Sequence, residues 1–370
     1  MGTTYGGATA LALSLLLAGC TLPRGAGLQS EVLNVKQSNL KEGEAPDFAV
    51  YPVTRTSLPA LKDWPATGPR GLGWIKRQQQ PASMIIAAGD TVSVTVWDAE
   101  ENSLLAGPGQ RVAQLQNVQV SSGGSVFLPF IGDLRIAGMS PQTARERIEQ
   151  RYVMTIPSAQ VQVSVTPGRA NTANLVSGVA TPGVYPLADR DVTLLGLLSL
   201  GGGVQPGLVN PQVRLFRGGD VYGTSVSRLY DDPALDTTLQ GGDRVIIEAE
   251  QRYFLSLGAA GTEALHTFPK DHVTALDAMS IIGGISEDRA NPKGILILRE
   301  YPRAAVRSDG AGPPQDRMVF TLDLTTADGL FSAGRFAVMP GDLVYATESP
   351  VNSARTILGL VGTAVGISGI

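Results

Sequence analysis

Few side chains in these 370 residues could carry covalent or metal chemistry: two histidines, His266 and His272, and a single cysteine, Cys20. The histidines are not spaced as in an HExxH zinc helix, and no second cysteine is present to complete a metal site. No metal and no cofactor is expected. There is no GxSxG elbow to expose a nucleophilic serine, and neither histidine lies in a recognisable nucleophile context. The carboxylates Asp231-Asp232, Asp271 and Glu287-Asp288 read most simply as solvated loop or cap residues. An enzyme is therefore not expected. What remains is the Cys20 thiol, which has no partner for a disulfide.

The surroundings of Cys20 give it a role. Leu11 to Ala18 form an apolar stretch too short to span a bilayer, which needs about 20 apolar residues, but long enough for a secretion signal. The junction Leu17-Ala18-Gly19-Cys20 resembles the lipobox of bacterial lipoproteins. That resemblance implies cleavage between Gly19 and Cys20 and acylation of the thiol, which converts a soluble chain into an anchored one. Thr21 rather than Asp follows the cysteine, which favours sorting to the outer membrane. Met1 to Ala10 lacks the Lys or Arg usual in a signal n-region.

Composition places the rest of the chain among globular proteins. Hydrophobic residues make up 43% and charged residues 17%, and at this length two to four domains are expected. The 44 glycines and 24 prolines suit many short strands joined by turns. A net charge of −4 with no long basic run argues against a nucleic-acid partner.

The elements follow from periodicity. Residues 20–80 read as an extended arm, since Pro46, Pro52, Pro59, Pro65 and Pro69 exclude long helices. Within it, Asp47 to Val53 could form one edge strand, while Trp64 and Trp74 are expected to lie on a neighbouring surface. Residues 81–170 read as a small α+β module. Thr91–Trp97 alternates as a half-buried strand entered through Gly89-Asp90, Asn117–Val120 and Ser125–Pro129 follow as strands, and Phe130–Gly138 continues the sheet. Ser140 caps a helix from Pro141 to Tyr152 whose buried face is Ala144, Ile148 and Tyr152. Val161–Val165 closes the module.

An internal repeat comes next. A shift of 81 residues superposes Val192 on Val273, Thr193 on Thr274, Ser199 on Ser280, Gly202-Gly203 on Gly283-Gly284 and Asn210-Pro211 on Asn291-Pro292. So many coincidences at one offset point to two copies of one unit, at 174–249 and 252–348. Each has a strand, a hairpin, a helix capped by Thr193 or Thr274, a Gly-Gly stop and further strands. The last strand of each follows a Gly-Asp turn, Gly242-Asp243 or Gly341-Asp342. Each copy resembles a β-grasp fold.

The segment 350–370 differs again, with Arg355 its only charge. On a helical wheel Ile357, Leu358, Val361 and Val365 fall on an apolar arc, and Gly359, Gly362, Gly366 and Gly369 on the opposite one. Nineteen helical residues reach about 28 Å, close to the thickness of a hydrocarbon core. Glycines that weaken a helix in water allow close packing between helices in a membrane. An amphipathic transmembrane helix is expected.

Together these features resemble the outer-membrane polysaccharide export lipoproteins. The resemblance is carried by Cys20, by Ala88–Trp97 with Gly124–Gly132 and Gly138-Met-Ser-Pro141 of an export domain, and by Val176–Tyr185 opening the first of two soluble-ligand-binding β-grasp repeats. It implies an α+β fold and a homo-oligomeric ring, commonly an octamer, whose C-terminal helices form the exit for capsular or exopolysaccharide. It also implies a largely periplasmic chain that docks on an inner-membrane polysaccharide co-polymerase or export complex. A competing reading is an envelope-anchored lipoprotein that binds a glycan or ligand without forming a pore. Such a monomer has no use for a glycine-lined apolar helix of bilayer length.

Overall fold

The computed structural model describes residues 25–34, 47–69, 71–78, 83–99 and 109–351, with isolated positions 80, 105 and 107. They fall in two compact units, one within residues 71–250 and one drawn from both sides of that span. The fold class is α+β, as the sequence suggests. Among the described residues no helix is long and apolar enough to cross a membrane. The signal segment, Gly19, Cys20 and the expected helix from Asn352 onward lie outside the described residues.

The N-terminal arm is less irregular than its prolines imply. It forms strand β1 (Ala49–Pro52) and two short helices, α1 (Gln29–Val32) and α2 (Leu58–Asp63).

The second unit begins with the small α+β module expected over 81–170. Strand β2 (Thr91–Trp97) lies between β3 (Val112–Gln119) and β6 (Gln160–Thr166), both antiparallel to it. Val92, Val94 and Val96 alternate into the core, as a half-buried strand requires. Helix α3 (Pro141–Val153) is capped by Ser140, whose hydroxyl accepts from Thr143 N, and it buries Ala144, Ile148 and Tyr152. One expectation fails here. The chain after Phe130 does not continue the sheet; β5 (Gly132–Arg135) pairs only with β4 (Ser125–Leu128) in a separate hairpin. Positive φ at Phe130 (68°) and Gly132 (74°) turns the chain back on β4.

The first repeat follows in the same unit. Its strands are β7 (Thr172–Ser177), β8 (Gly183–Pro186), β9 (Gln212–Arg217), β10 (Asp220–Ser225) and β11 (Arg244–Glu248), with helices α4 (Leu194–Leu200) and α5 (Val226–Asp231). The sheet order is β10-β9-β11-β7-β8, with β11 parallel to β7. Two hairpins flanking a helix, joined by a parallel central strand, make a β-grasp.

The second repeat, in the other unit, has β12 (Tyr253–Gly258), β13 (Ala264–Thr267), the two-residue β14 (Val273–Thr274), α6 (Ala275–Ile281), β15 (Ala290–Glu300), β16 (Arg317–Leu322), α7 (Ala327–Ala333), the two-residue β17 (Ala337–Val338) and β18 (Leu343–Glu348). The order β16-β15-β18-β12-β13 repeats that of the first copy, and β1 extends it in parallel at the β16 edge. Thr193 and Thr274 cap the matched helices as expected.

The tryptophans of the arm do more than lie on a surface. Trp64 is buried in the second-repeat core with Phe320, Tyr301 and Tyr51, their ring centroids 5.3–6.1 Å away. Trp74 packs on the first-repeat core and donates from Nε1 to the Leu235 carbonyl at 2.7 Å. An exposed indole would forgo a large apolar burial, so the chain inserts both.

Candidate functional site: three buried Gly-Asp turns and two outer sheet faces

The residues singled out in the sequence for lipidation (Cys20, after Gly19), for the membrane face (Ile357, Leu358, Val361, Val365) and for helix packing (Gly359, Gly362, Gly366, Gly369) all lie outside the described residues. The described residues hold a different set of chemically loaded groups.

A Gly-Asp turn with a buried aspartate recurs three times, at Gly89-Asp90, Gly242-Asp243 and Gly341-Asp342. Each glycine has φ between 86° and 88°, which an L side chain resists. Each aspartate is buried and accepts a 2.8 Å hydrogen bond from the backbone N–H three residues earlier, at Ala87, Gln240 or Met339. A buried carboxylate needs further partners. Asp90 takes Gly168 N and Asn171 Nδ2, both at 2.7 Å. Asp243 takes a fork from Arg217 at 2.9 and 2.5 Å, and Asp342 a fork from Arg299 at 2.8 and 2.7 Å. Both arginines spend a remaining N–H on a backbone carbonyl at 2.8 Å, Thr238 for Arg217 and Ala337 for Arg299.

Burial pushes the Asp342 carboxyl above the usual carboxylate range, against the opposing pull of Arg299 and the Met339 N–H. Burial presses the Arg299 guanidinium down, but the Asp342 charge outweighs it and its pKa is raised. The pair therefore stays ionised on its basic side and is sealed from solvent. In both pairs the carboxylate and the guanidinium are taken up by each other and by backbone groups. Sequence reasoning recognised the turns but not the burial of their carboxylates, and Gly-Asp ahead of a strand does not mark them alone, since Gly219-Asp220 stands at a strand start with its aspartate exposed.

The structure also brings together a serine and a histidine. Ser256 Oγ lies 2.8 Å from His266 Nε2, and the imidazole stacks on Phe254 at 5.1 Å. Ser256 is fully buried, and its hydroxyl is engaged by the Thr262 carbonyl and the Ala264 N–H. A nucleophile needs a free approach to its oxygen, and this one has none. Among the described residues no group of His, Cys, Asp or Glu could hold a metal ion.

The two repeats differ most on the sheet face that points away from the helices. In the first, a register row runs Val221, Phe216, Arg244, Asn174, Val184. Arg244 lies over the Phe216 ring at 5.2 Å, and Arg214 pairs with Glu248 at 2.6 Å beside it. In the second, the matching row runs Val319, Leu298, Leu343, Leu255, Leu265, extended by Val50 on β1. Arg244 and Leu343 each follow the Gly-Asp turn directly, and Phe216 and Leu298 each precede the pairing arginine, so the rows correspond residue by residue. The first row sets Arg244 and Asn174 among Val221, Phe216 and Val184; the second is aliphatic across six strands.

Comparison with known proteins supplies the context for these features. Residues 78–166 match the family described as polysaccharide biosynthesis/export protein. The chain is similar to the capsule polysaccharide export protein BexD of Haemophilus influenzae, 24% identical over 293 residues that make up 75% of this chain and 74% of that protein. It is 23% identical over 344 residues to the Vi polysaccharide export protein VexA/TviF of Salmonella typhi, covering 90% of each. Against the EPS I polysaccharide export outer membrane protein EpsA of Ralstonia nicotianae it is 28% identical over 304 residues, 77% of this chain and 76% of that one.

Proposed function

We propose, for a chain that carries a polysaccharide biosynthesis/export domain and is related over most of its length to capsule and exopolysaccharide export proteins, that it exports such a polymer at the outer membrane. Its role is transport and not catalysis. In the finer form of this reading, cleavage after Gly19 leaves Cys20 as the acylated N-terminus, anchoring the chain in the outer membrane with its bulk in the periplasm. Copies assemble into a ring, an octamer by analogy with the family, that encloses a passage. Their C-terminal helices turn Ile357, Leu358, Val361 and Val365 to lipid and pack through Gly359, Gly362, Gly366 and Gly369. An inner-membrane polysaccharide co-polymerase or export complex delivers the polymer.

The observation that carries this reading is the order of parts. An export domain is followed by two copies of one β-grasp unit, and the similarity to export proteins runs through both. A conduit for a hydrophilic polymer calls for a wet, weakly binding wall.

The test is complementation of cells that lack the gene. The full chain is expected to restore polymer to the cell surface, while a chain ending at Val351 leaves it trapped in the envelope. If the shortened chain exports at the wild-type rate, the C-terminal helix is not the exit. If labelled palmitate does not enter the wild-type protein, the anchor at Cys20 is wrong.

A further inference from the structure

We propose that the first repeat holds an acidic sugar unit, a carboxylate-bearing ring such as a hexuronate, in the small pocket beside Arg244 at the β9–β10 hairpin. The inference rests on the export reading for the origin of that sugar, a unit of the transported polymer. It names a site on this chain and the charge of what the site takes.

The pocket is made by the turn and the strand ends of this repeat. Strands β9 and β10 are joined by Gly218-Gly219, a two-residue turn in which both residues have positive φ, 59° and 98°. Glycine answers that backbone demand, and it also leaves the hairpin end bare. A methyl group at Gly218, at Gly219 or at nearby Gly242 would meet open space. Phe216, Arg217, Asp220 and Arg244 enclose the rest, a hollow of about 220 Å³. That lies below the roughly 300–1,000 Å³ of pockets for drug-sized ligands and suits a single sugar ring held at the surface.

The charged groups around this hollow divide into spent and unspent. Arg217 gives its fork to Asp243 and a further N–H to the Thr238 carbonyl, so that pair is neutral and serves the fold. Arg244 is exposed and lies over the Phe216 ring at 5.2 Å. Among the described residues it makes no hydrogen bond or ion pair. Asp220 is exposed as well, and its side chain accepts only a long bond, 3.4 Å, from the Tyr222 hydroxyl. The aromatic ring fixes the guanidinium plane. A planar guanidinium with its N–H groups unspent is matched by a carboxylate, which takes two of them side by side. Asp220 decides what carries that carboxylate. A bare phosphate would be repelled by Asp220, whereas a sugar acid offers it hydroxyl groups to accept from.

The second repeat shows that the β-grasp frame does not need these residues. It keeps the clasped pair, as Arg299 and Asp342, but has Leu298 where the first has Phe216 and Leu343 where the first has Arg244. Its matching strands β15 and β16 are joined by residues 301–316 in place of a glycine pair. Phe216 and Arg244 face each other across β9 and β11, so the two differences fall on one spot. The clasped arginine holds the sheet together in both copies; the arginine on the ring is present in one copy and left over. Asn174, across from Arg244 on β7, and the Arg214–Glu248 pair continue the surface in polar groups. A single exposed fork grips a sugar weakly, as a passage requires.

The test is equilibrium dialysis of the full chain, in mild detergent, against a labelled hexamer of galacturonic acid, with maltohexaose as its neutral counterpart. The acidic hexamer should bind and the neutral one should not. Arg244→Leu, which places there the residue type of the second repeat, should weaken binding about tenfold or more. Arg244→Lys should weaken it less, since the charge stays and the fork is lost. Arg303→Leu removes one exposed charge from the second repeat and should leave binding unchanged. Arg244 is exposed and unpaired among the described residues, so melting curves of its variants should match the wild type, which separates a lost site from a lost fold. An equal loss at Arg303 overturns the site in favour of net-charge attraction. Competition by inorganic phosphate as strong as that by free galacturonate reveals an oxyanion cradle without sugar recognition and overturns the proposal. A wild-type chain that restores surface polymer to cells lacking the gene, yet does not bind the hexamer, overturns this site and leaves the export reading standing. A chain that binds the hexamer through Arg244 but restores no polymer supports the site and overturns the export reading.

Discussion

The two β-grasp repeats share strand order, helix caps, the Gly-Asp turn and an arginine that clasps its aspartate, yet they differ in how far each feature is enclosed. Arg217 in the first repeat keeps 15% of its side chain exposed, while Arg299 in the second keeps 4%. Around Arg299 lie the rings of Tyr301, Phe320 and Phe336, 5.1–5.9 Å from its guanidinium carbon. The same frame carries a buried aspartate whose arginine still reaches water in one copy and a fully enclosed pair in the other. The outer faces differ as well: charged Arg244 and Arg214 with Glu248 stand among apolar residues in the first, while the matching row of the second is aliphatic. Duplication preserved the hydrogen-bonded skeleton, and the copies then diverged in what surrounds it.

The largest test of that contrast is removal of the aspartate. Asp342→Ala should cost about 3–5 kcal/mol, because it strands a buried guanidinium among aromatic rings. Asp243→Ala should cost about 1.5–3 kcal/mol, since Arg217 can recover water when its charged hydrogen bonds are lost. Denaturant unfolding of the full chain measures both, and hydrogen exchange assigns the loss to β12 and β18 or to β7 and β11. Equal costs would mean that the difference in enclosure carries no energy.

What could be read from the sequence was local. Ala144, Ile148 and Tyr152 announce their buried face by helical spacing, and Thr193 and Thr274 announce caps by standing before an apolar run. The β-grasp topology followed from a repeat at one offset, since two copies of one pattern must fold alike. What could not be read depends on partners far along the chain. Trp64 meets the carbonyl of Gly310, and β1 lies parallel to β16, with nothing in residues 47–64 to name either neighbour. Arg299 lies 43 residues before Asp342, so neither announces the pair. The expectations at Cys20 and Gly362 rest on contiguous residues alone, and both positions lie outside the described residues. The difference between the outer faces was not read from the sequence, because it needs the strand register to show which residues share a side.

A smaller contrast lies in the helix caps. Thr193 accepts from Gly196 N at 3.2 Å, and a glycine at that position returns nothing. Thr274 accepts from Asp277 N at 3.1 Å, and Asp277 accepts in turn from Thr274 N at 2.9 Å, completing a reciprocal box. Thr274→Ala should therefore cost about 1 kcal/mol and Thr193→Ala about half that. Exchange protection of α6 and α4 reads the two separately. A larger loss at Thr193 would show that the box adds nothing.

The smallest expected effect is the pH dependence of that box. Burial raises the Asp277 carboxyl, but hydrogen bonds from Lys270 and from the N–H and hydroxyl of Thr274, with the Lys270 charge, outweigh it, and its pKa lies below the ordinary 3.8. A carboxylate depressed in the folded state binds its proton less readily than in the unfolded chain. Its contribution is therefore fully present above the ordinary value and lost as pH falls through the lowered one. With Lys270 and Asp277 both reaching solvent, at 55% and 31% side-chain exposure, screening keeps the term small. Protection of α6 relative to α4 should hold steady from neutral pH down to about 4, where free carboxylates titrate, and decline below it. Asp277→Asn should remove that decline, because the amide still accepts from Thr274 N but does not titrate. If the ratio falls equally in wild type and variant, acid weakens the second repeat elsewhere and Asp277 is not its switch.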